Sequence, residues 1–189
     1  MHADHSVELG RDDPALELPW SANDPSVRYY DLKKSPELVL QVPEAVAYPE
    51  LGAFLARINA PGFPLATAKC DVWYGREIAP EEEIFGADRK FASYIDLVFA
   101  DEASCCSFEK HEEFARELCR LLSHAPDIAA TVEVVVRRCH YHQASFDSLS
   151  GFCLTAYVTG FGDSEHEPRR RWEIALTLLQ HALVQLTRT

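Results

Sequence analysis

Positive charge is in short supply. Eighteen lysines and arginines face 30 acids, a formal net charge of −12. Binding a nucleic-acid backbone takes clustered cations that displace counterions from phosphate, so nucleic acid is excluded as the expected partner. Apolar runs of membrane-spanning length are also missing, which excludes a helical membrane span. The six cysteines (Cys70, Cys105, Cys106, Cys119, Cys139 and Cys153) contain no C-x-x-C pair, and His2, Asp4, Glu8 and Asp12 interrupt the region where an apolar leader would stand. These absences predict a cytoplasmic protein with reduced thiols, several of them small buried hydrophobes.

What the chain does have is hydrophobic content, 47% of residues, enough for a folded core. At 189 residues it suits one domain better than two. Residues 1–25 are polar, acidic and punctuated by Pro14, Pro19 and Pro25, and read as a mobile tail whose Trp20 docks. Residues 26–189 read as a single α+β domain. A short strand is expected at Val27–Leu32 and a helix from Glu50 to Asn59, with Leu51, Phe54, Leu55 and Ile58 on one face.

Beyond that point one unit occurs twice. Each copy opens with a basic residue followed by cysteine and aromatics, Lys69-Cys-Asp-Val-Trp73 and Arg138-Cys-His-Tyr141. The first copy, about 65–126, predicts strands Thr67–Tyr74 and Phe91–Phe99 and a helix from Phe108 to Ala125 capped by Ser107. The second, about 128–187, predicts strands Ala130–His142 and Phe152–Gly160 and a helix from Pro168 to Leu186. Trp172, Ala175, Leu176, Leu179, Ala182 and Leu183 line one side of that last helix. Two helices, each apolar along one stripe, cover one face of a sheet of four or more strands. The duplicated ββα order is a circular permutation of the ferredoxin-like βαββαβ order, and the expected fold is that two-layer sandwich.

Alternation sorts Lys69, Asp71, Trp73, Tyr94, Asp96, Cys153, Thr155 and Tyr157 onto the other, polar face. The third strand is out of phase. Val132, Val134 and Val136 share a side, and continuing that register would carry Arg138, His140 and His142 into the core. A β-bulge near Val136–Arg138 is predicted to return those three to the polar face.

His140-Tyr-His142 is the sharpest local motif, since residues two apart in a strand lie on one side, roughly 7 Å apart. Two imidazoles so placed hold zinc if Asp71, Asp96, Cys153 or His166 adds a third ligand, which makes a metal-assisted hydrolase the alternative function. A Cys153 nucleophile with His140 or His142 is weaker, and Cys105-Cys106 before a helix reads as partly buried and inert. Gly160-Phe-Gly162 leading to Arg169, Arg170 and Arg171 is a candidate anion site, opposed by Glu165, Glu167 and Glu173 as local counter-charges. An incomplete G-x-G-x-x-G is no dinucleotide fingerprint.

The favoured function is a non-catalytic binding domain. Its expected surface is Lys69, Asp71, Trp73, Tyr94, Asp96, Arg138, His140, His142 and Tyr157, aromatics and fixed charges of the kind recognition surfaces use. A protein partner or a second copy is preferred over a small molecule, and no cofactor is required. Single-stranded nucleic acid on the aromatic face is ranked last for want of basic charge.

Overall fold

The computed structural model describes residues 1–22, 28–142 and 148–188. Asp24, Pro25, Val27 and residues 143–147 of the turn expected between His142 and Phe152 lie outside the described residues, and Ser148–Gly151 of that turn belong to a strand. In chain order the strands are β1 (His2–Glu8), β2 (Ala15–Leu18), β3 (Leu65–Gly75), β4 (Arg89–Phe99), β5 (Ala130–His142) and β6 (Ser148–Gly162). The helices are α1 (Pro43–Ala47), α2 (Pro49–Ile58), α3 (Glu102–Cys105), α4 (Phe108–Leu122) and α5 (Glu167–Leu186). Two short 3-10 turns, Pro36–Gln41 and Pro80–Phe85, fall in the connections. Arg28–Leu32 carries an isolated bridge, Ser21 to Arg28, in place of the expected strand.

The fold is α+β: a mixed six-stranded open sheet with helices packed against it. Its order is β1-β5-β6-β4-β3, with β2 also beside β5. β3, β4, β6 and β5 pair antiparallel, whereas β1 and β2 both run parallel to β5. This corrects the expectation of a mobile tail for His2–Glu8 and Ala15–Leu18. Ala3 packs on the core beside its partner Val132, and the backbone of a segment rich in His, Asp and Glu is satisfied by β5. An edge strand with one thin apolar side has too little hydrophobic content to announce itself.

Both long helices begin as their sequences direct. The Ser107 hydroxyl accepts from Lys110 N at 3.3 Å at the start of α4, and Pro168 sits in the first turn of α5. Leu51, Phe54, Leu55 and Ile58 of α2 join Leu118 and Leu122 of α4 in the core. From α5 come Trp172, Leu176 and Leu179, against Ile95, Leu97, Val132, Val134, Val136, Leu154, Ala156 and Val158 of the sheet. One face of the sheet is therefore the core face. The other is called the open face below.

The glycines before α5 have a packing reason. A Cβ at Gly160 would stand 2.1 Å from the Pro168 carbonyl oxygen and 2.4 Å from Trp172 N. Only glycine lets the first turn of α5 lie directly on β6.

Candidate functional site

Register decides what the open face carries. β5 pairs with β6 without interruption from Ala130–Gly160 to His142–Ser148, so the bulge expected near Val136–Arg138 does not exist. Arg138, His140 and His142 stay in phase with Val132, Val134 and Val136, off the open face. Arg137 takes the place expected of Arg138. The irregularity lies instead in β3, between Thr67 and Cys70, where Ala68 and Lys69 together oppose one residue of β4. It turns Thr67 to the core side, where Asn59 Nδ2 donates to its hydroxyl at 2.7 Å, while Lys69, Asp71 and Trp73 remain on the open face.

A row of side chains then crosses the sheet. Trp73 on β3 and Tyr94 on β4 have ring centroids 6.4 Å apart, and Tyr94 and Tyr157 on β6 are 6.2 Å apart. The Arg137 guanidinium on β5 lies 5.4 Å from the Tyr157 centroid and donates to the Tyr157 hydroxyl at 2.9 Å. Its other nitrogens reach Glu8 on β1 at 2.7 and 2.9 Å. Five strands contribute one member each. Sequence alone does not reveal Glu8, because β1 has the composition of a tail, or Arg137, which faces this way only when β5 runs without the expected bulge.

Below this row lies Asp96, only 7% exposed. Thr155 Oγ1 donates to its Oδ1 at 2.6 Å, and Arg137 Nη1 reaches the same hydroxyl at 3.4 Å. Burial pushes the Asp96 carboxyl above the ordinary carboxylate range, against the opposing effects of the Thr155 hydrogen bond and the Arg137 and Lys69 charges. The Tyr94 phenol is likewise pushed up, first by burial and then by the charge of Asp96. A hollow of about 180 Å³ opens here, bounded by Pro14, Leu16, Lys69, Asp96, Arg137 and Tyr157.

The sign of the Asp96 shift yields a prediction. A folded-state value above the unfolded one gives stability that is fully present below the ordinary carboxylate range and is lost as pH rises through the raised value. Asp96→Asn keeps an oxygen for Thr155 and removes the buried charge. It is expected to unfold at higher urea than the wild type at pH 8, with the advantage gone at pH 4. A variant less stable at both pH values would show that the Arg137 and Lys69 charges outweigh burial.

Among the described residues, the N-terminal segment covers one end of the open face. Leu16 and Leu18 pack on a small apolar cluster of Ala68, Val98, Cys139 and Cys153, and Trp20 Nε1 donates to Ala68 O at 2.8 Å. Phe85 stacks on Phe161 at 4.5 Å near the other end. Trp73, 37% exposed, is left at the surface between them. α2 lies in the core and covers none of this face.

The remaining candidates are dispersed. His142 Nε2 meets the Glu17 carboxylate, and Arg138 Nη2 donates to Gly10 O. Asp96 and Cys153 lie on the opposite side of the sheet, and His166 follows Gly162 at the far end of the β5–β6 ladder. Among the described residues no group of three or more His, Cys, Asp or Glu side chains is placed to share a metal ion. The Cys153 thiol, hydrogen-bonded to Cys139 and buried, is pushed far up, the reverse of an activated nucleophile. Burial likewise pushes Cys105 up to about 12, and its sulfur lies 3.7 Å from that of Cys106.

Of the three arginines, Arg169 pairs with Glu173 at 3.0 Å and Glu50 at 3.4 Å. Arg171 donates to Phe161 O at 2.5 Å and lies 3.7 Å from Glu167. Only Arg170 is exposed without a partner among the described residues, so local counter-charges account for the cluster.

A second, larger cleft of about 370 Å³ opens along the outer edge of β3. Trp20, Tyr30 and Tyr94 stand in its walls and Leu32, Val42 and Leu55 line it. No protein-family model matches this chain, and no curated protein or solved structure matches it. The site rests on its own geometry.

Proposed function

We propose that the chain is a non-catalytic binding domain that engages a protein partner, or a second copy of itself, through the open face of its sheet. The observation that carries this is the row Trp73, Tyr94, Tyr157, Arg137, with its outer aromatic at the surface. Aromatic rings and an arginine held in place by hydrogen bonds lose little side-chain entropy on association, which is why such groups dominate interface energetics. Arg137 takes over the role assigned to Arg138 in the sequence. His140 and His142 contribute nothing to this surface.

A finer reading of the architecture goes with it. The order β3-β4-β6-β5, each hairpin followed by a long helix, supports two ββα halves, β3-β4-α4 and β5-β6-α5, meeting at the β4–β6 pair. We read it as the permuted ferredoxin-like order, with β1 and β2 added at the β5 edge.

Photo-crosslinking tests the surface. p-Benzoylphenylalanine in place of Trp73 is expected to give protein adducts, either a dimer of the chain or a discrete heterologous species. The same probe at Arg170, exposed on α5, is the control. Equal yields at the two positions would end the proposal.

A further inference from the structure

The cleft at the β3 edge has a feature that its partners within the protein leave unused. Two cations and two carboxylates line it, Arg28, Lys69, Glu44 and Asp71, yet among the described residues none of the four is in an ion pair. The cations are held against rings. Arg28 lies 5.0 Å from the Tyr30 centroid and donates to Gln41 at 3.0 Å, and Lys69 lies 5.7 Å from the Trp20 centroid. Among the described residues Asp71 accepts only from the backbone N–H of Val72, at 2.7 Å, and Glu44 has no side-chain partner.

Beneath these charges the lining is apolar. Leu32, Val42 and Leu55 are all buried core residues. A concave site of this size, with a greasy lining and a few convergent polar groups, is what small ligands occupy. Opposite charges that share a cleft without neutralising one another match a ligand that carries both. We propose that this cleft binds a small zwitterion with an apolar side group, of the α-amino-acid class: carboxylate toward Lys69 and Arg28, ammonium toward Asp71 and Glu44, side group on Leu32, Val42 and Leu55.

Cys70 in the cleft reports the local field. Its thiol is pushed up to about 12, first by burial and then by the charges of Glu44, Asp71 and Asp96. The carboxylates therefore bear on the cleft itself, where an ammonium group gains from them. The cleft and the partner surface overlap at Lys69, Asp71 and Tyr94, but Trp73 lies beyond the cleft, and the cleft's apolar lining, Leu32, Val42 and Leu55, belongs to the 28–44 segment and α2.

The test is a titration of the full chain with L-phenylalanine, phenethylamine and 3-phenylpropionate, followed through the Trp20 indole N–H resonance. Phenylalanine is expected to shift it saturably, with each one-charge analogue about tenfold weaker, the scale of one charged hydrogen bond. Lys69 and Asp71 are exposed, so their substitution leaves folding intact. Lys69→Met is expected to weaken phenylalanine about tenfold and leave phenethylamine unchanged. Asp71→Asn is expected to do the same while sparing 3-phenylpropionate. No saturable shift up to tens of millimolar, an analogue binding as well as phenylalanine, or variants without effect would each overturn the proposal. The crosslinking at position 73 is unaffected by any of these results.

Discussion

Trp172→Ala lowers the free energy of unfolding by roughly 3–5 kcal/mol, read as a lower urea midpoint at unchanged slope. The indole is fully buried where α5 crosses β4 and β6. Phe91 and Tyr48 meet it edge-on with centroids 5.0 and 6.2 Å away. Its Nε1 donates to Ser93 Oγ at 2.8 Å, so truncation leaves a cavity and a buried hydroxyl without its donor. A small protein has about 5–15 kcal/mol of stability in all, so this variant approaches the limit of folding. Trp172→Phe refills most of the space and isolates the loss of the hydrogen bond, at about 1–3 kcal/mol. A cost under about 1 kcal/mol for the alanine variant would mean that α5 does not pack as described.

Arg137→Ala is expected to cost about 1–3 kcal/mol, because Glu8, Tyr157 and Thr155 lose the group that joins them across β1, β5 and β6. The Arg137 side chain is mostly covered, so little solvent replaces it at once. Arg137→Lys does not restore the stability, since one ammonium cannot hold a carboxylate, a phenol and a hydroxyl in the planar arrangement of a guanidinium. Arg138→Ala costs less, because its bonds go to the exposed carbonyls of Gly10 and Arg11, which water can serve. Urea unfolding of the three variants discriminates the two phases of β5. A larger loss at Arg138 than at Arg137 would restore the bulge and place His140 and His142 on the open face.

These variants also mark where sequence reading succeeds. β4 was legible because strict alternation holds through it: Ile95 and Leu97 enter the core, and Asp96 and Val98 face away. α4 and α5 were legible because their apolar stripes recur at helical spacing over four turns or more, with Ser107 and Pro168 marking the starts. The pairing of Arg169 with Glu173 followed from i, i+4 spacing. Trp20 was expected to dock, and it does, on Ala68 O.

The errors share one cause. In β5 the apolar alternation stops at Val136, and the expected bulge would keep the charged groups out of the core, yet the end of the strand leaves Arg138 and His140 half-buried and His142 exposed without one. In β3 the bulge between Thr67 and Cys70 leaves no mark in the sequence, because Thr67–Tyr74 alternates through it. Both are properties of strand pairing, and the partner residue is as important as the residue itself.

Amino-acid order alone determined the two long helices, the four antiparallel strands, the acidic and cation-poor character of the chain, and the outward direction of Trp73, Tyr94 and Tyr157. All of these follow from local periodicity and composition. Only the tertiary structure decided that His2–Glu8 and Ala15–Leu18 are strands, that Arg137 stands beside Tyr157, and that charges of both signs, in no ion pair among the described residues, gather around an apolar cleft at the β3 edge. Hydrogen-bond register between segments more than a hundred residues apart is a long-range property, and a one-residue difference in it exchanges the two faces of a strand.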